Sequence, residues 1–185
     1  FTWGLEMLIE EIKDTIRQVP DFPKKGIQFL DITTGVKNPK AFKAMIDFLY
    51  GEFKDKKVDY VAGIESRGFI FGAPLADRLG AGFVMIRKPN KLPADTISES
   101  YDLEYGKDTI QMHADAIEKG ANVVVIDDLL ATGGTACAAC RLIKKAGGNV
   151  VAASFIIELT PLKGAEKIKN DSGVDVVSML KYDIG

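Results

Sequence analysis

The run from Ala121 to Ala136, Ala-Asn-Val-Val-Val-Ile-Asp-Asp-Leu-Leu-Ala-Thr-Gly-Gly-Thr-Ala, constrains this chain most. Val123 to Ile126 is a short β-branched stretch between polar residues, the composition of a buried parallel strand. Asp127 and Asp128 follow it, then the loop Ala131, Thr132, Gly133, Gly134, Thr135, and Ala136 to Lys145 reads as a helix. A strand, an acidic pair, a glycine loop and a helix in one unit place a ligand crevice at the strand ends of an open α/β sheet. Gly133 and Gly134 tolerate positive φ and let backbone N–H groups approach a phosphate, which the start of the following helix also favours. Thr132 and Thr135 add hydroxyl donors, and the two carboxylates suit a pair of vicinal ribose hydroxyls. The unit therefore suits a phosphorylated sugar. Taken singly, Asp127 is also an ordinary strand-end acid and the glycine pair an ordinary turn. The magnesium-binding strand of P-loop enzymes ends in Asp too, but Gly-x-x-x-x-Gly-Lys-[Ser/Thr] is absent from the chain.

Upstream, Leu5, Leu8, Ile9, Ile12 and Ile16 recur at helical spacing, and Pro20 stops that helix. Pro20 to Thr34 alternates apolar residues between two prolines and a glycine, an extended arm with a strand around Ile27 to Phe29. Asn38 with Pro39 predicts a capped helix carrying Phe42, Met45, Ile46 and Leu49 on its buried face. Val58 to Gly63 is a second buried strand. It leads through Ile64-Glu65-Ser66-Arg67-Gly68 into a helix over Phe69 to Leu79, and Gly82 to Ile86 is a third strand. Arg67, at a strand-to-helix loop, is placed to grip a diphosphate, with backbone N–H groups of Ser66 to Gly68 assisting. The alternative is a surface arginine paired with Glu65 or Asp77. Arg87, Lys88 and Lys91 open a long polar connection to Ser100, either a lid complementary to diphosphate or a solvated basic loop. Tyr101 to Glu104 and Asp108 to Met112 predict a hairpin that carries Glu104 and Tyr105. Val150 to Glu158, Pro161 to Asn170 and Val174 to Leu180 read as strand, basic helix and strand.

The totals exclude several classes. At 185 residues, 46% hydrophobic and 27% charged, the chain suits one domain with a full core. A net charge of −2 supplies no global basic field for nucleic acid. No apolar run approaches the roughly 18 residues of a membrane span. Leu5 to Gln18 is acidic and amphipathic, unlike a signal peptide, so the cytoplasm is the expected compartment. Phe1 to Glu6 precede Met7 and read as expression-derived residues. Cys137 and Cys140 sit within the helix after the glycine loop, where packing is favoured over a redox dithiol. His113 has no ligand-like partner nearby in sequence and is expected on the surface or in the core.

The motif Val-Val-Val-Ile-Asp-Asp-Leu-Leu-Ala-Thr-Gly-Gly-Thr is similar to the phosphoribosyl-diphosphate signature of the type I phosphoribosyltransferases. Further segments resemble that family in its order: Pro20-Asp-Phe-Pro-Lys-Lys-Gly-Ile-Gln-Phe-Leu-Asp-Ile-Thr, Gly63-Ile-Glu-Ser-Arg-Gly-Phe-Ile-Phe-Gly, Arg87-Lys-Pro-Asn-Lys-Leu-Pro, Tyr101-Asp-Leu-Glu-Tyr-Gly and Ile157-Glu-Leu-Thr. The resemblance implies one domain over residues 1–185, a twisted, mainly parallel sheet flanked by helices, with a hood arm at 20–34 and a flexible β-hairpin lid at 87–107. It implies transfer of the 5-phosphoribosyl group from phosphoribosyl diphosphate to a purine, adenine most closely, giving AMP and diphosphate. Magnesium would arrive with the substrate, with no direct protein ligand, and the assembly would be a homodimer.

By the same resemblance, Asp127, Asp128 and Ala131, Thr132, Gly133, Gly134, Thr135 hold ribose 5-phosphate. Glu65, Ser66, Arg67, Lys88 and Lys91 meet the diphosphate, as does Arg87, reaching from a neighbouring subunit. Glu104, Tyr105 and Arg67 form the catalytic group, with Glu104 handling the purine proton. Phe29, Leu30 and Leu159 surround adenine. On residue type alone Phe29 is a core aromatic, and only the resemblance turns it toward a base. Leu30 stands where the family usually carries Arg or Lys, Lys25 where some members have Pro, and Thr34 where Pro is common. Two other functions stay open: a phosphoribosyltransferase for a 6-oxopurine, and a phosphoribosyl-diphosphate-sensing regulator, which would call for an added DNA-binding domain.

Overall fold

Strands and helices alternate along most of the chain. The computed structural model describes residues 2–103 and 106–184, with side chains from Ile9 onward. In chain order the elements are α1 (Thr2–Thr15), β1 (Arg17–Val19), β2 (Phe29–Asp31), α2 (Thr33–Lys37), α3 (Pro39–Phe53), β3 (Tyr60–Ile64), α4 (Gly68–Leu79), β4 (Gly82–Ile86), β5 (Thr96–Asp102), β6 (Lys107–His113), β7 (Asn122–Leu130), α5 (Gly134–Lys145), β8 (Asn149–Leu159), α6 (Gly164–Ser172) and β9 (Val176–Tyr182). A five-stranded sheet in the order β4-β3-β7-β8-β9 is parallel throughout. Two antiparallel pairs, β1 with β2 and β5 with β6, stand outside it.

The central strand β7 explains the layering. Val123 and Val125 belong to the hydrophobic cluster shared with α5, the β5–β6 hairpin and Ile168 of α6. Val124 and Ile126 belong to the cluster shared with α1, α3 and α4. Neighbouring residues of a strand point to opposite faces, so an unbroken β-branched run is what a strand covered on both sides requires. Asn38 caps α3 as its sequence predicts, its side chain accepting from the Lys40 and Ala41 amides at 3.1 and 3.2 Å.

The structure differs from the sequence expectations at several boundaries. β7 does not end at Ile126 but carries both acids within the strand, where pairing with β8 continues through Leu130. α1 stops at Thr15, short of Pro20, because Arg17 to Val19 pair with Asp31 to Phe29 as a two-stranded arm. The arm's second strand lies at Phe29–Asp31 rather than around Ile27, and the unforeseen α2 follows it. Asp31 fixes that transition by accepting the Thr33 amide at 3.0 Å and hydroxyl at 2.5 Å. The hairpin begins at Thr96, five residues before Tyr101, since the register pairs Thr96 with His113. The last strand is Val176–Tyr182, two residues later than expected, in register with Ala153 to Leu159.

Candidate active site

The C-terminal end of β7 turns into α5 through Ala131 to Gly133, and this turn lines a cavity of about 110 Å³ together with Asp127, Thr135 and Phe155. Gly133 has φ +83°, a conformation that L side chains rarely adopt. A second constraint comes from α6. A Cβ on Gly133 would lie 2.8 Å from the Gly164 carbonyl oxygen, and a Cβ on Gly164 would lie 2.3 Å from the Ala131 carbonyl oxygen. The loop is thus clamped between β7 and the start of α6, presenting the amino end of a 12-residue helix to the cavity. Nothing in the sequence around Gly164 marks this contact, which only the tertiary packing creates.

The acidic pair divides its tasks. Asp127 lines the loop cavity, whereas Asp128, 4% exposed, meets Arg67 with its Oδ2 2.5 Å from the guanidinium Nε. Arg67 therefore pairs with neither Glu65 nor Asp77. It stands just before α4, whose first residue Gly68 packs so closely on β7 that a Cβ would fall 2.7 Å from the Ile126 carbonyl oxygen. Burial, then the negative charge of Asp128, pushes the Asp127 carboxyl well above the usual carboxylate range. Its Oδ1 accepts the Asp128 amide at 2.8 Å.

Two of the other expected cations, Arg87 and Lys88, are held by acids as well. Arg87 Nε donates to Glu65 at 2.8 Å. Lys88 Nζ donates to Asp108 and lies 3.3 Å from the Tyr101 hydroxyl. Lys91 is exposed, and its carbonyl oxygen accepts from Arg87 Nη1 at 3.4 Å. Ser66 sits in the turn between β3 and α4, joined to Glu65 by a cis peptide. The sequence reading missed Asp108 and Tyr101 as partners of Lys88. Their signal, the offset that puts them opposite each other across a hairpin, needs the true strand register.

In the arm, Phe29 is half-buried and stacks edge-on against Phe22, centroids 5.2 Å apart, while Phe22 is 51% exposed. Phe29 is thus no sealed core residue. Leu30 faces the opposite way, 5% exposed within the cluster of α1, α3 and α4, so its side chain is core and offers only its backbone to a ligand. The negative charge of Asp31 on the arm adds to those of Asp128 and Asp127 in holding the Arg67 pKa above its ordinary value, against the desolvation of the guanidinium. Leu159 ends β8, half-buried beside Tyr182. Glu104 and Tyr105 lie outside the described residues. Cys137 and Cys140 are buried, unbridged thiols, and burial pushes Cys140 up to about 12, the state of packing residues. His113 Nε2 accepts weakly from the Ala94 amide at 3.4 Å in the hairpin.

Residues 34–182 match the phosphoribosyl transferase domain family. The adenine phosphoribosyltransferase of Clostridium kluyveri is 57% identical over 173 residues, which span 94% of this chain and 99% of that protein. The crystal structure of adenine phosphoribosyltransferase from Thermoanaerobacter pseudethanolicus superposes with a TM-score of 0.89 at 51% identity, covering 94% of this chain and 99% of that one. The enzyme of Saccharomyces cerevisiae, solved with adenine and an imino-altritol bisphosphate, superposes at 0.86 with 38% identity over 95% and 99% of the two chains. A family model that matches residues 34–182 and relatives at 57% and 51% identity over 94% of its length make the chain a member of the adenine phosphoribosyltransferase family.

Proposed function

We propose that this chain transfers the 5-phosphoribosyl group of phosphoribosyl diphosphate to adenine, giving AMP and diphosphate, and so serves purine salvage. The carrying observation is the small cavity that the Ala131 to Thr135 turn forms with Asp127 at the amino end of α5. Its donors and helix end suit a phosphate, and its acid suits sugar hydroxyls. Displacement occurs at the anomeric carbon, where a purine nitrogen attacks and diphosphate leaves as positive charge builds on the ribose. The loop and Asp127 with Asp128 hold the sugar still. Arg67, Lys88 and Lys91, with Glu65 and Ser66 shaping the turn, offset the charge of the departing diphosphate. Phe29 and Leu159 flank adenine and the Leu30 backbone reads its edge. Glu104 handles the purine proton with Tyr105 beside it, a role that rests on family resemblance.

Among the described residues no group of three or more acids, cysteines and histidines converges to hold a metal unaided. Magnesium fits instead as an ion brought by the diphosphate oxygens, whose charge it neutralises. The hood at 20–34 and the hairpin lid within 87–107 exclude water from the reacting centre. Residues 1–185 act as one domain. A homodimer is what the family resemblance implies. In the dimer Arg87 would leave Glu65 to reach the partner's diphosphate. Two buried unbridged thiols fit a cytoplasmic setting.

Product analysis tests the reaction, with phosphoribosyl diphosphate, magnesium and one of adenine, hypoxanthine or guanine. AMP and diphosphate are expected from adenine alone. Transfer to a 6-oxopurine would overturn the base, and binding without transfer would favour a sensor.

A further inference from the structure

Lys88 is held in place from two sides. Its own segment is fixed to the hairpin by reciprocal backbone bonds between Arg87 and Gln111, 2.9 and 2.7 Å. Its ammonium then reaches Asp108 and the Tyr101 hydroxyl, and that hydroxyl donates to Asp108 Oδ2 at 3.0 Å. Tyr101 and Asp108 face each other across the rung next to the last described pair of the hairpin, Asp102 with Lys107. Tyr101 is 8% exposed, and its ring lies against the start of α5, where a Cβ on Gly134 would sit 3.3 Å from its Cδ2. This triad therefore joins the segment after β4, the hairpin and the start of α5. Desolvation acts to lower the Lys88 pKa, but the bonds to Asp108 and Tyr101 outweigh it and hold the ammonium above its ordinary value.

We propose that Asp108, with Tyr101, is a positioning residue that occupies Lys88 in the free enzyme and competes with the diphosphate for it. The proposal rests on the reading of Lys88 as a diphosphate residue. A bound diphosphate offers more negative charge than one carboxylate, so Lys88 exchanges Asp108 for the substrate and the rung beneath the lid loses its ion pair. Substrate binding and the ion pair of that rung then share one lysine. The competing contact exists only before binding, so its removal lowers KM for phosphoribosyl diphosphate and leaves kcat unchanged. A contact that merely supported the hairpin would act in the opposite direction.

The test is steady-state kinetics with varied phosphoribosyl diphosphate, together with calorimetric titration of magnesium and inorganic diphosphate into the full chain. Asp108→Asn is expected to lower KM and the diphosphate Kd about three- to fivefold, the size of one partly exposed ion pair, at unchanged kcat. Asp108→Glu should restore values near the parent, and Tyr101→Phe should move KM the same way by a smaller factor. Asp102→Asn, on the same hairpin and 84% exposed, controls for a simple loss of negative charge and should change nothing. An unchanged or raised KM in Asp108→Asn overturns the proposal, as does an equal effect of Asp102→Asn. Lys88→Met separates the two readings. If it leaves the diphosphate Kd unchanged, Lys88 does not meet the diphosphate and the proposal falls with that role. If it weakens binding while Asp108→Asn does nothing, only the competition is refuted.

Discussion

Asp127 and Asp128 show how two identical neighbours in one strand can take different partners. The Asp128 carboxylate meets Arg67, while Asp127 lines the loop cavity beside it. Burial and the neighbouring charge raise the Asp127 pKa, so its ionisation penalises the folded state. The linkage runs one way: a raised folded pKa means stability is complete below the ordinary 3.8 and declines as pH rises toward the folded value. Asp127→Asn keeps an oxygen for the Asp128 amide and removes that decline. Thermal melts should show the variant above the parent at pH 8 by about 2–4 °C for each kcal/mol of relieved penalty, with the gap closing near pH 4. Its KM for phosphoribosyl diphosphate should rise or its kcat fall at the same time. Stability gained while function is lost is the mark of a charge kept for its ligand; equal melting at both pH values would place Asp127 in an unstrained site.

At the scale of elements, the site depends on contacts between segments that are remote in sequence. The glycine loop looks self-sufficient as a motif, yet it packs tightly on α6 through Gly164. Gly164→Ala would drive a Cβ to 2.3 Å from the Ala131 carbonyl oxygen, so the loop or the helix must shift. Overpacking of this kind costs about 1–3 kcal/mol. Because the shift falls on the glycine turn proposed to hold the 5-phosphate, KM for phosphoribosyl diphosphate should rise at least about tenfold while KM for adenine changes little, by the sensitivity of positioned ligands to small displacements. Unchanged kinetics would show that α6 yields and the loop does not. The same non-locality decided what could be read from the chain. The strand, acids and loop of β7–α5 were legible because period, composition and spacing are local properties. The pairing of Arg17 to Val19 with Phe29 to Asp31, the early start of β5 and the partners of Arg67 and Lys88 were not, because each is a cross-strand or cross-segment choice that burial elsewhere settles.

On the scale of the whole molecule, the question left by the geometry is which active site Arg87 serves. Within one chain it is engaged by Glu65, and its segment is tied to β6 through Gln111. A homodimer in which Arg87 crosses to the partner requires it to exchange Glu65 for a diphosphate on the other subunit. Two variants expected to be inactive can report on this when co-expressed: Arg87→Ala, which retains its own cradle, and Asp127→Asn with Asp128→Asn, which retains Arg87. With random pairing about half of the dimers are hybrids, by the symmetry of two-fold assembly. If Arg87 acts across the interface, each hybrid has one site that combines an intact cradle with the partner's arginine and one site lacking both. The mixture should then recover about one quarter of the parent's activity, half of the dimers carrying one working site of two. If Arg87 acts within its own chain, every site in a hybrid lacks one element and no activity returns. Recovery that fades on dilution, as dimers part, would tie the regained activity to the assembly. Activity absent at every concentration, from a mixture shown to contain hybrids, would return Arg87 to its own subunit, beside Glu65.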